Sequence, residues 1–101
     1  MTAEWLVEID IDWPPGRGEQ LRRELAEAEG RRARELASAG LLVRLWRVPG
    51  RWANVGLWRA EDATELHAAL CSLPLHPWMQ VTVTALAVHP SDPQSPQPAS
   101  P

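Results

Sequence analysis

Between Arg44 and Trp58 the chain reads RLWRVPGRWANVGLW, which crowds Arg44, Trp46, Arg47, Trp52 and Asn54 into one short stretch. Guanidinium and carboxamide groups donate hydrogen bonds to anionic oxygens, and indole faces make flat walls that exclude water. Together they read as the floor of a pocket for a small molecule, although core or subunit-interface packing is the plainer account for most of the tryptophans. Upstream, Glu29 falls on the inward side of a helical run. A carboxylate there is costly unless it is paired or functional. It can pair with Arg32 at i, i+3, or it can serve as a catalytic acid–base. Glu8 poses a similar choice on a strand: a solvated face, or a face that looks into a cleft under a helix. His76 is presented by the loop LPLHPWM, which Pro74 and Pro77 stiffen.

The elements that must position these groups follow from periodicity. Trp5, Val7, Ile9 and Ile11 alternate with Leu6, Glu8, Asp10 and Asp12, a period of two that predicts a strand over 5–13, ended by Pro14-Pro15-Gly16. Residues 18–39 are rich in Leu, Ala, Glu and Arg, strong helix formers, and Gly40 stops them. At 100° per residue Leu21, Leu25, Ala28 and Leu36 form the apolar stripe. Gly30 in mid-helix marks a kink or a close ligand approach. Two runs, 41–48 and 51–59, flank Pro49-Gly50 and predict a β-hairpin. Gly56 inside its second strand signals something close to the backbone. Asp62 with Glu65 three residues on is a capping arrangement for a helix over 63–73. A second alternating run over 80–88 completes the pattern. The fold class is therefore α+β: ferredoxin-like βαββαβ, a four-stranded antiparallel sheet with two helices on one face, of the dimeric α+β barrel type. The other sheet face, expected to be rich in Trp, Val and Ile, lacks cover within the chain and calls for a homo-oligomer, a dimer or higher. Residues 1–90 form the domain, and 91–101, PSDPQSPQPASP from Pro90 on, form a Pro-rich tail expected to be disordered.

Composition narrows the function. With 101 residues, 45% apolar and 23% charged, the chain suits one small domain. A net charge of −3 gives no basic surplus for nucleic acid. All ten cationic side chains are Arg, so Schiff-base chemistry and a Lys base are excluded. Cys71 is the sole cysteine, and His67, His76 and His89 show no ligand spacing, so no disulfide, metal or cofactor is expected. The N-terminus lacks the basic segment and apolar run of a signal peptide, and no run is long enough for a membrane span. A cytoplasmic protein with no membrane partner is the reading.

Residues 35–90 resemble muconolactone Δ-isomerase through Glu35-Leu36, Ala39-Gly40, Leu45-Trp46-Arg47-Val48, Gly50, Ala53-Asn54-Val55, Glu65-Leu66-His67, Leu73-Pro74-Leu75, Pro77, Met79, Val83-Thr84-Ala85-Leu86 and His89-Pro90. The first strand matches only through Val7, Asp10 and Pro14, and Leu6, Glu8, Gly30 and Arg44 depart from the family's pattern. The resemblance implies a cofactor-free isomerase of aromatic catabolism, in the β-ketoadipate pathway, with a ferredoxin-like fold assembled as far as a decamer. It converts muconolactone into 3-oxoadipate enol-lactone by moving one proton.

That reaction needs a base for the proton at the carbon bearing the ring oxygen, donors for the dienolate oxygen, and return of the proton beside the carbonyl. Glu29 is the first candidate base and Glu8 the second. Arg44, Arg47 or Asn54 donates to the oxyanion, a second Arg holds the substrate carboxylate, and Trp46 and Trp52 wall the ring, with His76 nearby. Two other classes compete: an isomerase or cyclase acting on another lactone or a polyketide-like intermediate, and a non-catalytic ligand-binding module of the same fold.

Overall fold

The computed structural model describes residues 2–94. Along the chain come β1 (Ala3–Ile11), α1 (Glu19–Ser38), β2 (Leu42–Arg47), β3 (Ala53–Ala60), α2 (Ala63–Cys71) and β4 (Met79–Leu86), with one 3-10 turn, His76–Trp78, leading into β4. The strands pair antiparallel in the order β2-β3-β1-β4. Boundaries shift by one or two residues from those expected, most at β1, which begins and ends two residues earlier. Of the expected tail, 95–101 lie outside the described residues. Ser91 and Asp92 turn back on His89, the Ser91 N–H donating to His89 Nδ1 at 2.9 Å.

Alternation decides which sheet face is buried. Trp5 lies opposite Trp58, Val7 opposite Gly56 and Val83, and Ile9 opposite Asn54 and Val81. That row meets Leu36 of α1 and Leu66, Ala69 and Leu70 of α2, with Leu73 just beyond, in one core. The Trp, Val and Ile row is thus the covered face, which corrects the expectation that it would lie open. The open face carries Leu6, Glu8, Asp10, Trp46, Val55 and Leu57, a mixture of acids and apolar groups.

Two local features were not expected. A β-bulge between Leu42 and Arg44 puts Leu42, Leu45 and Arg47 on the helix side and sends Arg44 and Trp46 to the open side. The hairpin connection is longer than a tight turn, running over 48–52 with Gly50 at φ 83°. Gly56 is explained by a neighbour in its own strand: a Cβ there would stand 2.7 Å from Trp58 Nε1.

The helix ends are built as the sequence predicted. Gly40 takes φ 84°, its N–H donating to the Ala37 carbonyl, and Leu41 N–H donates to the Leu36 carbonyl, so two end carbonyls of α1 are satisfied. At α2, Asp62 Oδ1 accepts from the Glu65 N–H at 2.8 Å, and Glu65 Oε1 accepts from the Glu61 N–H at 3.0 Å. No helix among the described residues is long and apolar enough to cross a membrane.

Candidate active site

Glu29 sits midway along α1, half-buried, with Oε1 accepting the Leu75 backbone N–H at 2.9 Å. Pairing with Arg32 does not occur. Arg32 instead donates Nε–H to Ser72 Oγ at 3.0 Å and reaches Glu35 at 3.3 Å. Among the described residues no cation lies within ion-pair distance of Glu29. Burial therefore pushes its carboxyl above the ordinary value, and the Leu75 N–H, which favours the charged form, pulls it only part of the way back. A carboxylate tuned in this direction is better matched to proton abstraction near neutrality than an exposed one.

Four of the expected binding residues come together. Trp46, Arg47, Trp52 and Asn54, with Leu45 and Ala53, line a hollow of about 200 Å³ at the upper end of β2 and β3. Asn54 Oδ1 is shielded from solvent there and has no partner in the protein. Such an orphaned amide is rare in a native interior unless something else bonds it. Arg47 and Trp52 also wall a second, wider cleft of about 560 Å³, closed on its far side by Arg22, Arg23 and Ala26 of α1 and by Arg51. The Arg22 guanidinium lies over the Trp52 ring, 4.2 Å from its centroid.

The remaining candidates are placed differently. Glu29 lines neither hollow. It does share the stripe of α1 that carries Arg22 and Ala26, since positions 22, 26 and 29 fall within about 60° on a helix, and it stands about 4.5 Å further along the axis than Ala26. Glu8 is exposed on the open sheet face, opposite Val55 and Thr82, with no helix above it. The cleft expected over Glu8 is absent because the strand's alternation turns Val7 and Ile9, not Glu8, toward the helices. Arg44 lies on that same open face, stacked over Trp46 at 4.8 Å. His76 follows Leu75 directly, and its Nε2 lies 3.7 Å from Cys71 Sγ, with His67 Nε2 at 3.4 Å from the same sulfur.

The residues that sequence reasoning missed are mostly on α1 and in the loops. Arg22 had a legible signal, its i, i+7 spacing to Glu29, whereas Arg23 had none. Trp13 packs between Trp52 and Trp78, at 6.3 and 4.9 Å between centroids, and Arg17 lies 5.6 Å above Trp78. The Leu75 N–H had no sequence signal, because a backbone donor carries no residue type.

Known proteins resemble this chain in sequence and in fold. The muconolactone delta-isomerase family model matches residues 3–92. The muconolactone Delta-isomerase of Rhodococcus opacus is 33% identical over 86 residues, covering 85% of this chain and 92% of that one. That of Pseudomonas aeruginosa is 35% identical over 85 residues, with 84% of each chain covered. A crystal structure of muconolactone isomerase superposes with a TM-score of 0.84 at 29% identity, covering 91% of this chain and 96% of the other. With sequence and fold agreeing over nearly the whole described length, the chain belongs to the muconolactone Δ-isomerase family.

Proposed function

We propose that this chain is a cofactor-free isomerase that shifts a double bond within an unsaturated lactone, of the muconolactone to 3-oxoadipate enol-lactone type. The observation that carries the reading is Glu29: a half-buried carboxylate on the sheet-facing side of α1, without a cationic partner among the described residues and with its acidity weakened by burial. In this reading Glu29 removes the proton from the ring carbon that bears the ring oxygen. The electron pair moves through the conjugated system to the carbonyl oxygen, and the same carboxyl returns the proton to the carbon beside the carbonyl. No atom is gained or lost.

The oxyanion formed between these steps needs donors. Arg47 and Asn54 share one hollow and are the natural pair. A rotated Asn54 amide presents its NH₂, and a donor of this kind lowers the barrier by about 3 kcal/mol. Trp52 supplies the dry wall. Glu8 and Arg44 stay out of this assignment because they stand on the opposite sheet face.

The open face supports a homo-oligomer. Trp46 is 44% exposed and Leu86 41%, and Leu6, Val55 and Leu57 lie between them. Glu4 and Arg59 pair on the same surface at 3.0 Å, a charged couple that a second copy can complement. The domain then spans 1–90. The free, exposed Cys71 accords with a reducing cytoplasm.

Purified protein mixed with muconolactone and followed by ultraviolet absorbance tests the reading. Formation of the enol-lactone above the spontaneous rate is the expected result. Absence of turnover, in protein whose fold is intact by circular dichroism, would overturn it.

A further inference from the structure

The wider cleft holds more positive charge than a small lactone acid needs. Arg22, Arg23, Arg47 and Arg51 converge on one opening of about 560 Å³, on a chain whose net charge is −3. Two of the four already have a carboxylate nearby: Arg22 with Glu19 and Arg51 with Asp10, each at 3.4 Å and each largely exposed. Such pairs are weak and readily exchanged for a ligand's anion. Arg23 and Arg47 have no carboxylate within ion-pair distance among the described residues. Four like charges facing one opening repel one another, and an anion bound among them relieves that repulsion. The cleft also shares Arg47 and Trp52 with the smaller hollow, so the two lie side by side against the same pair of side chains.

We infer that this cleft receives a second acidic group of the substrate, so that the chain acts on a lactone acid lengthened by an anionic arm. The inference rests on the isomerase reading for the first half of that ligand and adds the second. In this arrangement Arg47 sits at the junction and holds the ring portion. Arg23 and Arg51 take the anionic oxygens of the arm, carboxylate or phosphate, through charge-assisted hydrogen bonds. Arg22 stays stacked on Trp52 and fixes the wall between them.

Equilibrium binding is the test, measured by calorimetry on the full chain with three probes: sorbate, which has one carboxylate; muconate, which has two on the same diene skeleton; and inorganic phosphate. Muconate is expected to bind at least tenfold more tightly than sorbate. Arg23→Gln and Arg51→Gln should each weaken muconate by about tenfold and leave sorbate unchanged. Raising ionic strength should narrow the gap between the two acids. Phosphate competing with muconate points to a phosphate arm, and muconate binding tightly without phosphate competition points to a carboxylate arm. Equal affinity for sorbate and muconate, or unchanged muconate binding in both variants, would overturn the inference. Tight, Arg23-dependent muconate binding in a protein that fails to turn over muconolactone would overturn only the reaction assigned above.

Discussion

At the scale of single residues, Glu29 carries the most consequence. Gln keeps an oxygen that can accept the Leu75 N–H, so Glu29→Gln should fold normally while losing about 10²- to 10⁴-fold in kcat, measured on muconolactone. The raised pKa adds a signature in stability. Because the folded carboxyl holds its proton more tightly than the unfolded one, the contribution is fully present below the ordinary value of 4.5 and is lost as pH rises through the higher folded value. Thermal melts should therefore show wild type gaining on Glu29→Gln as pH falls toward 4.5; a pH-independent difference would contradict the burial. The activity of wild type should rise with pH through that same window, and the variant's residual rate should not. The sequence exposed Glu29 as an inward carboxylate but left open whether Arg32 neutralises it. What decided the matter was Ser72, which captures Arg32 from forty residues away, and no local pattern encodes such a meeting.

At the scale of elements, two glycines with the same sequence-level reading part company. Gly30 in α1 suggests a kink or a ligand approach by its place in the sequence, yet a Cβ there meets only the Arg34 guanidinium, at an ordinary 3.6 Å. Gly30→Ala should raise stability by about 0.5–1 kcal/mol in chemical denaturation, through helix propensity alone. Gly56 faces the buried indole of Trp58, which cannot swing away as a surface arginine can. Gly56→Ala should cost about 1–3 kcal/mol by the same measurement. The element order, the helix caps and the strand alternation were all legible because each depends on residues a few positions apart. The bulge between Leu42 and Arg44 was not legible, since it is a property of pairing with β3 and leaves no signature in β2's own composition. It moved Arg44 off the pocket side, and with it one expected site residue.

At the scale of the whole molecule, the sheet's two faces divide the labour. The helix side houses Glu29 and the Asn54 amide, and the open side is the surface that the proposed homo-oligomer would use. Val55 stands near the centre of that open side, opposite Glu8 and Trp46. Val55→Arg should shift sedimentation velocity toward monomer while circular dichroism stays native; a monomeric wild type would remove the oligomer from the account. The face assignment was half legible: alternation told which residues travel together, and only the helices' landing told which set they cover.

The bond from Leu75 to Glu29 joins a long helix to a short strap stiffened at Pro74 and Pro77. Changes confined to that strap can reset the height of the Glu29 carboxylate above the sheet and its affinity for a proton, with α1 untouched.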